Sequence, residues 1–186
     1  RAQMAVFLLK ASETFKAYWY YVDGGYWSAS ADAPGDQNKK WAEGSCVTFD
    51  GIDTVYALKG EHNEFYAYSV STNTWLAKPD LPLGPKNKRA KGGAAICYHL
   101  GKVYGIKGSN SQEFWVYNCD ADTWTPGPDV TLGPNGDDSA IITFHGKEYS
   151  CGYDVKYCGV GAGEEGWLTI YSQWGDGFRV KRPSLD

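Results

Sequence analysis

The feature that most constrains this chain is a tyrosine followed, seven residues later, by a tryptophan or a phenylalanine. The pattern occurs as Tyr20 and Trp27, Tyr68 and Trp75, Tyr117 and Trp124, and Tyr171 and Phe178. Successive copies are about 49 residues apart, a period typical of chains built by repeating one supersecondary unit. The sequence therefore predicts a single domain, 1–186, with repeats of approximately 1–37, 38–86, 87–135 and 136–186.

Each copy predicts short strands joined by polar turns. In the third copy, hydrophobic segments cover residues 94–99, 103–107 and 114–118, and a fourth begins at Thr123. Asp120-Ala121-Asp122 supplies side chains that hydrogen-bond their own backbone, so we expect it to connect the third strand to the fourth. Helical periodicity is weak almost everywhere, and the predicted fold class is all-β.

The order of residues within a copy resembles the kelch repeat. The shared features are a hydrophobic strand ending in glycine, Val-Tyr-x-x-Lys-Gly, Phe-x-x-Tyr, a polar turn and Thr-Trp. They are most similar to the Lys-Gly variant of secreted bacterial proteins. The resemblance covers about residues 5–185 and implies a kelch-like β-propeller of about four repeats. It also implies a secreted or cell-surface location.

Two segments depart from this pattern. The fourth copy lacks the valine and the lysine of the second strand, and its extra residues between Tyr153 and Gly166 predict an inserted loop. The first eleven residues, Arg1 to Ala11, are also similar to the closing helix of an S-layer homology domain. Residues 6–27 align without a gap with residues 103–124, which favours a strand at the start of the chain.

The first copy is incomplete, because it begins with the second strand of the repeat. Val6 to Lys10 has no preceding counterpart of the strands that end at Gly51, Gly101 and Gly146. An unpaired strand edge invites pairing with another chain. We therefore expect either a piece of a larger propeller or a strand donated by a second chain through β-augmentation.

Charge and residue usage argue against several functions. The formal net charge of −4 arises from interspersed acidic and basic residues, so nucleic acid is not an expected partner. The longest apolar run is much shorter than the roughly 18 residues that a membrane span requires. His62, His99 and His145 do not have metal-ligand spacing, and no catalytic triad is apparent. The sequence predicts a protein that is not an enzyme.

Tryptophans outside the repeated position are the first candidates for ligand contact. The repeated Trp27, Trp75 and Trp124 are expected to pack between blades, because one large aromatic per blade suits a wedge. The remaining tryptophans could stack on a sugar or a protein, or could be buried. They are Trp19, Trp41, Trp115, Trp167 and Trp174.

Three lysines are the second set of candidates. Lys10, Lys59 and Lys107 share the last position of the second strand, and Glu64 and Glu113 precede the next strand. Pairing of opposite charges across a blade would make the lysines structural, with about 0.2–1 kcal/mol for an exposed pair. A ring of lysines at a channel mouth would instead attract an anionic ligand.

Turn carboxylates and cysteines complete the candidate residues. Asp50, Asp53, Asp120 and Asp122 lie in predicted turns, where turn formation is the ordinary role and weak Ca²⁺ binding the alternative; no other cofactor is expected. Cys46 and Cys97 are expected in the core. Cys151 and Cys158 flank a loop short enough to close as a disulfide in an exported protein, which would leave Cys119 as a thiol.

Two classes of function fit these residues. The first is a non-catalytic extracellular binding module that recognises a glycan or a protein through propeller loops. The second is a structural protein of a cell-surface layer or filament, in which propellers associate as homo-oligomers through edge strands. Binding to a glycan array would separate the first class from the second, and a size measurement of the purified chain would detect assembly.

Overall fold

The computed structural model describes residues 5–10, 14–35, 40–108 and 111–129, together with the backbone of five later strands. The regular structure of these residues consists of β-strands in five antiparallel sheets. The described part of the chain contains no helix long and apolar enough to cross a lipid bilayer.

Three sheets correspond to the first three copies of the repeat. The first contains β1 (Ala5–Leu9), β2 (Ala17–Tyr21) and β3 (Tyr26–Ala29). The second contains β4 (Cys46–Phe49), β5 (Thr54–Leu58), β6 (Phe65–Ser69) and β7 (Thr74–Lys78). The third contains β8 (Ala95–His99), β9 (Lys102–Ile106), β10 (Phe114–Asn118) and β11 (Thr123–Pro126). In each sheet the strands pair in chain order, which confirms the predicted four strands of copies two and three.

The beginning of the chain is a strand. β1 pairs with β2 along its whole length, from Ala5 opposite Tyr21 to Leu9 opposite Ala17. The helix implied by the S-layer resemblance is therefore wrong for these residues. Half-buried and exposed residues alternate along Ala5–Leu9, as expected for the two faces of a pleated strand.

The fourth copy differs from the prediction. Its strands are β12 (Ser139–Phe144), β13 (Lys147–Gly152), β14 (Gly159–Ala162), β15 (Trp167–Tyr171) and β16 (Gly177–Lys181). They form a two-stranded sheet, β12 and β13, and a three-stranded sheet in which β14 pairs with β15. A single four-stranded sheet was the wrong expectation, because part of the segment predicted as a loop forms β14 and occupies the place beside β15.

The repeated aromatic pair is a cross-strand pair in the first three sheets. The tyrosine and the tryptophan lie opposite each other, with ring centroids 4.9, 5.0 and 5.2 Å apart in sheets one to three. In the last sheet Tyr171 instead lies opposite Gly177, and Phe178 opposite Ile170. This shift arises because one more residue separates β15 from β16 than separates β10 from β11.

The sheets pack face to face, with their first strands side by side. β4 lies beside β8, and β8 lies beside β12. The repeated tryptophans lie between sheets: Trp75 donates its indole N–H to the carbonyl of Ala31 (3.1 Å), and Trp124 donates to Pro79 (2.9 Å). The expected wedge position is confirmed for these two tryptophans, whereas Trp27 is 56% exposed.

Candidate binding surface on the first sheet

The outer edge of β1 is paired with no strand in the part of the chain that the structure describes. Among the described strands, only β2 pairs with β1. The amide of Lys10 donates to Lys16 at the end of β2 (2.9 Å), and hydrogen-bonding direction alternates along an antiparallel strand. Val6 and Leu8 therefore direct their backbone groups to β2, while Ala5, Phe7 and Leu9 direct theirs to the outer edge.

A groove of about 460 Å³ lies next to this edge, between the first and second sheets. Phe7 and Trp19 form the wall on the first sheet, and Val47 and Phe49 of β4 form the opposite wall. The remaining lining residues are Ala5, Thr48, Val55 and Val70. Phe7 stacks on Tyr68 at 5.1 Å, so the aromatic wall is fixed by contacts with the second sheet. The lining is mainly apolar, with the backbone edge of β1 as its polar margin.

The face of the first sheet that points away from the second sheet is apolar and exposed. Val6, Leu8 and Trp27 on this face are 52%, 39% and 56% exposed. The corresponding strand-two and strand-three residues of the next two sheets are Val55, Ala57, Tyr66, Tyr68, Val103, Trp115 and Tyr117. Each of these is 8% exposed or less, because the preceding sheet covers it. The first sheet thus presents a core-type surface to solvent.

The predicted tryptophans have different environments. Trp19 lies in the groove, 4.9 Å from the ring of Phe7, and its indole N–H is 3.4 Å from the hydroxyl of Tyr68. Trp41 is fully buried and Trp115 is 7% exposed, so neither offers a ligand a stacking face in this structure. Trp174 lies outside the described residues, and only the backbone of Trp167 is described.

The lysines also separate into two groups. Lys59 and Lys107 are fully buried, and each ammonium lies 2.5 Å from a carboxylate oxygen of Glu64 or Glu113. Lys107 also donates to the carbonyl of Leu83 (2.7 Å). The expected charge pairing is confirmed, but the expectation of an exposed pair was wrong. Lys10 is exposed and has no glutamate at the matching position, where the chain has Lys16.

The buried pair in the third sheet changes the ionisation of its carboxyl group. Burial alone would raise the pKa of Glu113. Hydrogen bonds from the Lys107 ammonium and the Lys86 amide oppose this effect and hold the pKa below its usual value of 4.5. Glu113 is therefore a carboxylate that is hydrogen-bonded to the Lys107 ammonium. Lys59 and Lys107 are both paired with a glutamate, which argues against a ring of lysines that could bind an anionic ligand.

The carboxylates of the turns accept hydrogen bonds from residues close to them in the chain. Asp50 accepts the amides of Ile52, Asp53 and Thr54 at 2.7–2.9 Å, and Asp122 accepts the hydroxyl of Tyr117. Within the described ranges, no group of three or more His, Cys, Asp or Glu side chains could hold a metal ion. Weak Ca²⁺ binding remains a prediction.

The cysteines of the second and third sheets form no disulfide among the described residues. Cys97 is buried and Cys46 is half-buried, with burial raising the pKa of the Cys46 thiol to about 12. This placement agrees with their expected core positions. Cys158 lies outside the described residues, and only the backbone of Cys151 is described, so their disulfide remains a prediction.

Sequence comparison finds no match, whereas structural comparison finds solved structures of similar fold. No family model and no curated protein matches the chain. The structure is similar to virginiamycin B lyase from Staphylococcus aureus, in its selenomethionine-substituted form, with 12% identity and a TM-score of 0.56 over 100% of this chain and 54% of that one. It is also similar to YjhT, with 16% identity and a TM-score of 0.46 over 77% and 52%. The chain spans about half the length of each.

The likeness to the lyase, which is a propeller-type protein, supports a β-propeller-type fold. At this identity it says nothing about activity or ligand. The kelch assignment, based on the repeated residues, stays a prediction.

Val6, Leu8 and Trp27 were not among the candidate residues chosen from the sequence. Their positions are those of core residues in the other copies, and the repeat pattern assigns them to the core. No signal within the strand distinguishes Val6 and Leu8 from covered residues, because the hydrophobic pattern of β1 resembles that of a buried strand.

Proposed function

We propose that this chain is a non-catalytic binding module that recognises a protein partner through its first sheet. The observation that carries the proposal is the exposure of Val6 and Leu8 at positions that are buried in the next two sheets, together with that of Trp27, whose counterparts Trp75 and Trp124 are half-buried. Large exposed apolar patches on soluble proteins mark interaction sites. The covering groups in the other two cases are protein side chains, which favours a protein partner.

Recognition through the first sheet differs from recognition through propeller loops. The loops after β5 and β9 are tied by the Lys59–Glu64 and Lys107–Glu113 pairs. A buried ammonium bound to a carboxylate has little capacity left for an anionic ligand. The sheet face, by contrast, exposes apolar area that burial would stabilise by about 25 cal/mol per Å². A secreted or cell-surface location fits this proposal and remains a prediction.

Self-association provides the test, because an exposed core-type face drives the chain to bind itself when its partner is absent. Sedimentation velocity of the natural chain should show mass increasing with concentration, and the double variant Leu8→Lys, Trp27→Ser should remain monomeric. The matched control is Leu76→Ser, since Leu76 is 61% exposed but lies on β7 of the second sheet. Equal association in the natural chain and the double variant would contradict the proposal.

A second candidate is glycan binding, favoured by the exposure of Trp27 (56%), whose ring centroid lies 4.9 Å from that of Tyr20 on the same face of the sheet. Aromatic side chains of this kind combine an apolar face with a polar group. A glycan array separates the two candidates. A chain that is monomeric at every concentration, and that loses glycan binding with Trp27→Ser, would favour this second function over the first.

A further inference from the structure

We propose that the connection between β7 and β8 binds an acidic segment of a protein partner. Residues 83–91 of this connection are called the basic loop. The inference goes beyond the proposed function, because the basic loop joins the second sheet to the third and recognises charge rather than apolar area. It is carried by the distribution of charge along the chain, the hydrogen bonds of the loop backbone and the exposure of the loop side chains.

Positive charge is concentrated in this part of the chain. Residues 81–112 contain six of the 18 lysines and arginines and none of the 22 aspartates and glutamates. Four of these six cations are exposed residues of the basic loop: Lys86, Lys88, Arg89 and Lys91. Like charges this close to one another repel, so an anionic partner would stabilise the loop.

The carboxylates of the chain neutralise little of this charge. Lys86 lies 4.0 Å from Asp129, in a pair whose side chains are 43% and 60% exposed. Arg89 donates to a backbone carbonyl rather than to a carboxylate. In the ranges that the structure describes, Lys88 and Lys91 form no ion pair. The basic loop therefore presents cations that are available to a partner.

The backbone of the basic loop is held in place by hydrogen bonds. Ala90 is fully buried; its amide donates to the side-chain oxygen of Asn63 (2.6 Å), and its carbonyl accepts the amide of Glu61 (2.6 Å). The amide of Lys86 donates to the carboxylate of Glu113 (3.0 Å). Three more amides donate to backbone carbonyls: Asn87 to Gly84 (3.0 Å), Lys88 to Leu83 (3.1 Å) and Lys91 to Lys107 (3.0 Å). The loop is thus preorganised, which lowers the entropy cost of binding.

These hydrogen bonds indicate which kind of anion the loop can bind. A single phosphate or sulfate is typically held by free backbone amides, but five of the six amides of residues 86–91 already donate within the protein. The exposed ammonium and guanidinium groups are left for recognition. Because each exposed ion pair is weak, the ligand needs several anionic groups on one chain.

Among such polyanions, an acidic protein segment fits the loop best. Residues 81–94 contain no aromatic side chain on which a sugar ring could pack. Duplex DNA carries one charge per roughly 1.7 Å, and the acidic residues that outnumber basic ones outside residues 81–112 would repel a polyanion of that density. An acidic peptide carries fewer charges, and Leu83, which is 44% exposed, offers its side chains an apolar contact.

A titration with acetylated hexaglutamate tests this assignment. The peptide should shift the amide NMR signals of Lys88, Arg89 and Lys91 and leave those of Val6 and Leu8 on the first sheet unchanged. Its affinity should fall as salt is added, because salt screens exposed charges. Shifts confined to other residues, or an affinity that does not depend on salt, would overturn the proposal.

Two double variants with the same change in net charge provide the matched control. Lys88→Gln, Lys91→Gln should weaken hexaglutamate binding about fivefold, as expected for the loss of two exposed ion pairs. Lys16→Gln, Lys102→Gln removes two exposed lysines outside the basic loop and should weaken it by less than about twofold, since salt screens distant charges. Both variants should keep the melting temperature of the natural chain. Equal weakening would show general attraction to a charged protein and overturn the site.

Two further probes with the same number of anionic groups separate the classes of partner. They are hexagalacturonate, an acidic sugar chain, and a thymidine oligonucleotide with six phosphates. Tighter binding of either probe than of hexaglutamate, weakened by Lys88→Gln, Lys91→Gln, would overturn the acidic peptide and assign the loop to that polyanion. Binding of none of the three would overturn the anion site altogether.

The basic loop and the proposed function fail separately. Leu8→Lys, Trp27→Ser, which tests self-association through the first sheet, should bind hexaglutamate as the natural chain does. Loss of hexaglutamate binding in this variant would overturn a site on the basic loop. Unchanged self-association with intact peptide binding would instead contradict the proposed function alone.

Discussion

At the scale of single residues, a lysine charge has different consequences in the core and at the surface, and this chain contains both cases. Lys107 is fully buried and bonded to Glu113, whereas Lys16 and Asp32 form a pair whose side chains are 56% and 53% exposed. The sequence predicted the pairing of Lys107 with Glu113 from their repeat positions. It did not predict that the pair is buried, because a charged residue at a strand end is ordinarily solvated.

Replacement of the buried ammonium should be costly. We expect Lys107→Met to lower the free energy of unfolding by about 3 kcal/mol, because Glu113 then lies in the protein without its cation. Lys16→Met should change it by less than about 1 kcal/mol, since water screens the exposed pair. Urea denaturation measures both values, and a similar loss in the two variants would contradict the assignment of Lys107 to the core.

The same pair predicts a dependence of stability on pH. The pKa of Glu113 is lowered in the folded chain, so its stabilising contribution is present above the usual value of 4.5 and is lost as the pH falls through the lower folded pKa. We expect the stability difference between the natural chain and Glu113→Gln to be constant near neutral pH and to shrink below pH 4.5. Urea titrations at several pH values measure it, and a difference that stays constant into the acid range would contradict the prediction.

At the scale of strands and turns, the sequence predicted most of the second and third sheets. Gly25, Asn73 and Asp122 occupy the same turn position and have φ angles of 63°, 54° and 54°. Glycine, asparagine and aspartate tolerate this left-handed conformation, so the residue types predict these turns. The sheets of the fourth copy were not predicted, because residue type does not determine which of two strands, β13 or β14, pairs with β15.

The interface between sheets allows a prediction with an internal control. Trp124 contacts Phe65 of the second sheet at 4.9 Å, whereas Trp27, at the same strand position of the first sheet, is 56% exposed. Trp124→Ala should lower the free energy of unfolding by about 3 kcal/mol, as expected for loss of a packed aromatic residue. Trp27→Ala should lower it by less than about 1 kcal/mol. Thermal and urea denaturation measure both, and equal costs would show that Trp27 is packed in solution.

At the scale of the whole molecule, stability should rise from the first sheet to the second. The first sheet packs one face on its neighbour, whereas the second packs both, and Val55, Ala57 and Leu58 of β5 are almost fully buried. This gradient could not be predicted from the sequence, because the hydrophobic pattern of Val6 to Leu9 resembles that of a covered strand. Exposure depends on which neighbours are present, and a pattern within one strand does not contain that information.

Native-state hydrogen exchange tests this gradient directly. Amides of β1 and β2 that bond each other should open with a lower free energy than those of β5 and β6, because partial opening exposes less apolar area when one face is already in water. Phe7→Ala should widen the difference, since Phe7 stacks on Tyr68 and lies 6.2 Å from the ring of Trp75, and these contacts join the first sheet to the second. Leu76→Ser, on the exposed side of β7, should leave it unchanged. Opening of all three sheets at one common free energy would instead mean that the first sheet is as stable as the second. The exposure of its outer face would then not lower its stability.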